Sequence, residues 1–408
     1  MFLGDDIIKF RFHIIIVISL LFLISCSYNK EEVNINTKKI IEVKEDKILN
    51  KIMDMTLEEK IGQLFIVGFD GSDSLSEKDI SLIKDYKVGG LIFFSKNITS
   101  GNGTINLINK IKEINSDGIP LFLSLDQEGG LVTRLPKEII KFEKASELGD
   151  KNDEDYTYII SKVMGEVIHS LGFNMNYAPV VDIYTNKNNT VLKSRSFSSD
   201  RDIVSRLAIK TMEGLRDSGI ISVAKHYPGH GDTNEDSHYE LPILEHTYER
   251  IMDMELVPFK QIINKGIDSI MVSHLLYKNI DPDNIATFSR KFLYDILRKE
   301  LKFTGIVITD DMIMKGLTNT MKISEASVKV LNAGGDILLI GSGYEDIVES
   351  IELIKRSVLE GLISEVEIDR KVYNILRIKE KYNINNEKVE SVDINLINNK
   401  IKNTINNN

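Results

Sequence analysis

The stretch Lys225–Pro242, which reads KHYPGHGDTNEDSHYELP, holds three of the chain's seven histidines. His226, His230 and His238 are interleaved there with Asp232, Glu235 and Asp236. Imidazoles titrate near neutral pH, and a neighbouring carboxylate favours the protonated ring, so such a cluster can give and reclaim a proton. Asp236 and His238 are two residues apart, a spacing that turns both side chains the same way on extended backbone. That pair fits a general acid/base in which Asp236 orients His238. Metal binding is the rival chemistry, with His226 and His230 four apart and Asp232, Asp236 and His238 as further ligands. Pro228 and Gly229 lie between the two histidines and disfavour the helix that would align them. No metal or other cofactor is therefore expected. His230 and Asp232 are left without a chemical role and read as residues that shape the loop.

A second reactive centre is Thr309-Asp310-Asp311. A carboxylate at a strand end, beside another, is placed to act as nucleophile, base or metal ligand. Asp310 is the candidate for chemistry, and Asp311 reads as the cap of the next helix. Asp126 and Glu128 before Gly129-Gly130, with Arg134 and Arg195, add groups suited to fixing the hydroxyls of a polar ligand.

These residues need elements to hold them. Short apolar runs recur at 63–68, 90–94, 121–125, 174–181, 221–224, 269–272, 305–308 and 336–340, separated by amphipathic segments. Runs apolar on both faces with helical spacers suit a parallel sheet. Thr56 and Glu59 have capping-box spacing, and 155–171 has a helical apolar period. Eight such units, with polar residues just past several of the runs, predict an α/β fold of the TIM (β/α)8-barrel type with one active-site rim. No GxGxxG follows an early strand, so dinucleotide binding has no support.

The chain carries a net charge of -10, which argues against nucleic acid as a partner. Near the N-terminus Lys9 and Arg11 precede an apolar run, 14–24, that ends at Cys26, the single cysteine. The pattern resembles a bacterial lipoprotein signal, removed before a cysteine that then carries lipid. Asp5 and Asp6 are unusual in such a signal and point to a start further downstream. The expected organisation is a signal peptide over 1–25, a polar tether over 26–50, one catalytic domain over 51–385 and a disordered Asn- and Lys-rich tail over 386–408. The protein is then expected to be exported and lipid-anchored to a bacterial membrane, on the cell surface or the periplasmic side.

Taken together, KHYPGHGDTNEDSHYELP, LEEKIGQ at 57–63, DQEGG at 126–130, RSF at 195–197 and ITDD at 308–311 resemble glycoside hydrolase family 3, in its single-domain β-N-acetylglucosaminidase branch. The resemblance spans roughly residues 50–382. It implies Asp310 as nucleophile, His238 held by Asp236 as acid/base, and Asp126, Arg134, Arg195, Lys225 and His226 as sugar-binding residues. It further implies removal of terminal N-acetylglucosamine from cell-wall oligosaccharides within a single domain, with no obligate protein partner. Thr309, Gln127 and Leu131 stand where many relatives have Ser, His and Arg, so contacts from the glycine turn are less firmly implied. The rival activities are an N-acetylglucosaminide phosphorylase, a β-glucosidase, a metal-dependent hydrolase and a non-catalytic sugar-binding lipoprotein.

Overall fold

The computed structural model describes residues 46–234 and 240–406. Within the compact unit Lys47–Asn408, eight parallel strands form one sheet. They are β1 (Phe65–Gly68), β2 (Gly90–Phe93), β3 (Phe122–Leu125), β4 (Met175–Asn176), β5 (Ile221–Tyr227), β6 (Ser269–Val272), β7 (Ile306–Thr309) and β8 (Leu338–Ile340). From β1 to β7 consecutive strands pair, and β8 pairs with β1. The remaining seam is closed by a parallel bridge between Ile308 and Ile337, with the Thr309 N–H donating to the Ile337 carbonyl at 3.0 Å. The sheet is thus a barrel, as the order of apolar runs predicts.

All residues of these strands are buried, which is why they read as unbroken apolar runs rather than alternating ones. Helices cover the outside. Thr56 and Glu59 do form a capping box: the Glu59 N–H donates to Thr56 Oγ1 at 3.2 Å, and the Thr56 N–H to Glu59 Oε2 at 3.0 Å. The helix Glu154–Ser170 starts on Asp153, whose carboxylate accepts the Tyr156 N–H, and packs on the helix Arg201–Asp217.

Two strands differ from their sequence expectation in ways that matter for the site. β4 is only two residues long, because Pro179 has no N–H to continue the ladder; pairing resumes at one bridge between Val180 and Lys225. β5 runs three residues further than its apolar run and carries Lys225 and His226 inside the barrel mouth. A short parallel pair, Ile243–Leu244 with Leu276–Tyr277, lies beyond the main sheet and has no periodic signal in the sequence.

The ends of the chain require corrections. The helix Lys47–Asp54 begins inside the expected tether. The expected disordered tail is ordered: Asn386 donates to the Asn115 carbonyl at 2.8 Å, and the Val389 N–H donates to Asn109 Oδ1 at 2.8 Å. It continues as the helix Ile394–Asn406, with Ile401 fully buried and Ile394, Ile397 and Ile405 packed beside it. Composition suggested disorder there, but the isoleucines recur at helical spacing and supply an apolar stripe. The expected signal peptide, Cys26 and most of the tether lie outside the described residues, as do Asp236 and His238.

Candidate active site

The C-terminal ends of the strands surround a cavity of about 420 Å³. Asp126, Arg134, Arg195, Lys225, His226 and Asp310 all line it, so six of the expected site residues meet in one place. The strand ends explain this convergence, since each contributes one or two side chains to a shared rim.

Lys225 on β5 is the electrostatic centre. Its Nζ lies 2.7 Å from Asp126 Oδ1 and 2.7 Å from Glu128 Oε1, both just past β3. Arg195 grips Glu128 with two hydrogen bonds, from Nε at 2.8 Å and Nη2 at 2.7 Å. Burial alone would push the Glu128 carboxyl up, but the charges of Arg195 and Lys225 outweigh it and hold the group well below the usual carboxylate range. Burial would likewise lower the Lys225 ammonium, yet Asp126 and Glu128 raise it above an ordinary lysine. Both partners therefore stay ionised in a nearly dry site. The turn that delivers Glu128 needs its glycines: Gly129 has φ +96°, and a Cβ there would lie 2.1 Å from the Glu143 carbonyl oxygen.

A second cluster fixes the imidazoles. Asp182, fully buried past β4, accepts the His226 ring Nδ1–H at 2.6 Å through Oδ2. Its Oδ1 accepts the backbone N–H groups of His226 at 3.3 Å and His230 at 2.7 Å. With Nδ1 engaged, His226 turns Nε2 towards Arg195 Nη2, 3.4 Å away, and presents a fixed tautomer to the cavity. His230 also lines the cavity, and burial, followed by the nearby His226, pushes its ring down to about 4, so it is neutral at pH 7. Among the described residues no group of three or more His, Cys, Asp or Glu is arranged to hold a metal ion.

Asp310 follows β7 and is anchored through its backbone, whose N–H donates to the Val272 carbonyl at 2.8 Å. Its Oδ1 accepts the Asp311 N–H at 2.9 Å. Burial would raise its carboxyl, but His226 and His274, with that backbone N–H and Lys225, bring it below the ordinary aspartate value. Asp310 is therefore an anion lining the cavity, as a nucleophile must be. Asp311 differs: Oδ1 accepts from the Gly341 N–H at 2.8 Å and the Ile313 N–H at 3.3 Å. Burial, helped by the charges of Asp310 and Asp126, pushes it up to about 6. Contrary to expectation it does not cap the next helix, Lys315–Thr318, whose N-cap is Met314; it ties its own turn to the backbone just past β8.

Among the described residues the buried Nε of Arg134 has no hydrogen-bond partner, and its Nη1 donates to the Thr133 carbonyl at 3.3 Å. Such a donor is ready for a ligand oxygen. The sequence suggests Glu128 as a ligand-binding group and gives Asp182 no role, although both stand just past apolar runs and both hold other site residues instead. Charge balance is the signal for them: Lys225, Arg195 and His226 sunk in a barrel mouth require carboxylates beside them.

The comparisons with known proteins agree with this geometry. The family model "Glycosyl hydrolase family 3 N terminal domain" matches residues 56–378. "Beta-hexosaminidase A" of Pseudoalteromonas piscicida is 33% identical over 278 residues, covering 64% of this chain and 46% of that protein. The chain thus spans less than half the length of that relative. "Beta-hexosaminidase" of Nitrosomonas eutropha is 33% identical over 273 residues, 65% of this chain and 77% of that one. Among solved structures, a glycoside hydrolase family 3 beta-N-acetylglucosaminidase from Paenibacillus sp. superposes with a TM-score of 0.81 at 33% identity, covering 86% of this chain and 68% of that one. With the barrel, the carboxylate of Asp310 and the Lys225 cluster all falling inside the matched span, the chain belongs to glycosyl hydrolase family 3.

Proposed function

We propose that this protein is a retaining exo-β-N-acetylglucosaminidase that removes terminal N-acetyl-β-D-glucosamine from cell-wall-type oligosaccharides. The observation that carries the reading is Asp310, a partly buried carboxylate kept ionised where it lines a sugar-sized cavity. Asp126, Lys225, His226, Arg195 and Arg134 would bind the sugar hydroxyls. Asp310 would attack the anomeric carbon, forming a glycosyl-enzyme as the leaving oxygen departs with a proton from His238. Asp236 would orient that histidine, which would then draw a proton from the water that releases the sugar. The relatives' names support the N-acetylhexosaminide class.

The decisive assay compares turnover of an aryl N-acetyl-β-glucosaminide with that of an aryl β-glucoside, with and without EDTA. The acetamido substrate is expected to dominate and chelator to have no effect. Asp310→Ala should lose about 10⁴-fold or more in kcat. Retained activity in that variant refutes the nucleophile. Export and lipidation at Cys26 are part of the same proposal, and a mature protein whose mass shows an unmodified Cys26 would sink it.

A further inference from the structure

His274 stands just past β6 and is completely buried, yet neither sugar binding nor proton transfer uses it. Its ring lies against the turn that carries Asp310. Nε2 is 3.1 Å from the Asp311 carbonyl oxygen. A carbonyl only accepts, so Nε2 carries the hydrogen and donates it there. Nδ1 lies 2.7 Å from Thr287 Oγ1, and that buried hydroxyl is also 2.9 Å from the Ser273 carbonyl oxygen. Held at both nitrogens, the ring cannot turn without stranding a buried polar group.

What the ring holds is Asp311, the residue that orients the nucleophile. The Asp311 N–H donates to Asp310 Oδ1 at 2.9 Å, while the Asp311 carbonyl takes the bond from His274. Other holds on this turn pull it towards β8: the Met312 N–H donates to the Leu339 carbonyl at 2.9 Å, and the Gly341 N–H to Asp311 Oδ1 at 2.8 Å. On the β6 side the Asp310 N–H bonds the Val272 carbonyl at 2.8 Å, and His274 adds a side-chain hold one residue further on. The turn is therefore stretched between two neighbouring strands, with His274 opposing the bonds to β8.

We infer that His274 is a positioning residue for the nucleophile: through the Asp311 carbonyl, with Thr287 behind the ring, it sets where the Asp310 carboxylate stands relative to the anomeric carbon. The inference rests on the reading of Asp310 as nucleophile given above. A displacement of about 1 Å in a reacting group costs up to two orders of magnitude in rate. Binding of the sugar, which other residues perform, is spared.

The test uses the full chain carrying His274→Leu, His274→Gln, Thr287→Val or Asp310→Ala. It measures kcat/KM for phenyl and 2,4-dinitrophenyl N-acetyl-β-glucosaminides, together with the inhibition constant of N-acetylglucosamine. His274→Leu should lose about 30-fold in kcat/KM on both substrates, because both need the nucleophile in place, with the inhibition constant within about twofold of wild type. His274→Gln, whose amide N–H reaches towards the same carbonyl, should recover all but about threefold. Thr287→Val keeps the Nε2 bond but frees the ring from behind, and should lose about threefold with binding unchanged. Wild-type kcat/KM in His274→Leu, a glutamine variant as slow as the leucine one, or an inhibition constant that weakens in step with the rate overturns the inference. If His274→Leu yields no folded protein, Thr287→Val decides: a wild-type rate there overturns the inference, and the expected loss with unchanged binding upholds it. Should Asp310→Ala keep its activity, the nucleophile reading falls and this inference with it. An inactive Asp310→Ala beside a fully active His274→Leu removes this inference alone.

Discussion

Two buried lysines at opposite ends of the barrel, Lys225 at the rim and Lys379 at the base, meet opposite surroundings. At the rim, Lys225 is ringed by Asp126 and Glu128 and remains a cation despite complete burial. At the other end, Lys379 is equally buried but meets only neutral acceptors, Gln63 Oε1 at 2.8 Å and the Gly89 carbonyl at 2.9 Å, with the Phe122 ring 4.7 Å away. Burial there drives its ammonium well below the ordinary lysine value. Lys371, whose Nζ donates to the Gly335 carbonyl, is similarly pushed down, to about 8. The contrast shows that depth alone does not decide a group's charge. Lys225 stays an ion because counter-ions surround it; Lys379 meets dipoles and approaches neutrality.

Between these two lysines, the larger effect should come from breaking the rim cluster. Lys225→Met leaves Asp126 and Glu128 in the cavity with one cation fewer, and Arg195 cannot serve both. We expect kcat/KM to fall by about 10²–10³, since a charged donor to the sugar is lost and the site's field changes sign locally. Unfolding stability should fall by about 3 kcal/mol, the scale for removing one partner of a buried ion pair. Chemical denaturation alongside kinetics checks both numbers. A loss of activity with unchanged stability would mean that the carboxylates are less dependent on Lys225 than the geometry implies.

Asp311 sharpens the comparison because, among the described residues, this rim carboxyl pairs with no cation. If counter-ions decide charge, it should behave like the lysines of the base, and burial does raise it to about 6 from an ordinary 3.8. The sign follows from proton counting. Between pH 3.8 and about 6 the unfolded chain has released this proton while the folded chain retains it. Stability contributed by Asp311 is therefore full below 3.8 and declines as pH rises towards 6. Asp311→Asn keeps the acceptor for the Gly341 N–H and removes the titration. The difference in unfolding free energy between wild type and variant should change by about 2 kcal/mol from pH 3.5 to 6.5, with the wild type relatively less stable at the upper end. A difference that is flat with pH would place Asp311 among the ionised rim groups.

Much of this arrangement is legible in the sequence, and the gaps have physical causes. Apolar runs mark the strands because both faces of a barrel strand are covered, so each run reads directly as buried sheet. The end of β5 is misjudged for the same reason in reverse. Lys225 and His226 look like loop residues because they are polar, and only the carboxylates of Asp126, Glu128 and Asp182, distant in sequence, make their burial tolerable. The terminal helix is missed because Asn and Lys dominate its composition, while four isoleucines carry its packing. In the site, Asp310 stands out through its strand-end position. Glu128 and Asp182 do not, because their role is to hold other side chains rather than to face the ligand.

The smallest effect should follow from the same substitution at the opposite end. Lys379→Met preserves the aliphatic stem and removes an amine whose burial is already unfavourable. The variant loses two hydrogen bonds, and Gln63 keeps the bond from its Nε2 to the Lys87 carbonyl at 2.9 Å. Release from the cost of burying an amine offsets most of what the lost bonds contributed. Stability should therefore fall by about 1 kcal/mol or less, against about 3 for Lys225→Met. Turnover should remain within about twofold, because conservation of the rim geometry is what catalysis requires and the base of a barrel contributes chiefly to stability. Losses at Lys379 as large as those at Lys225 would show that the buried amine is held as an ion after all, and that neutral dipoles can replace a counter-ion in this fold.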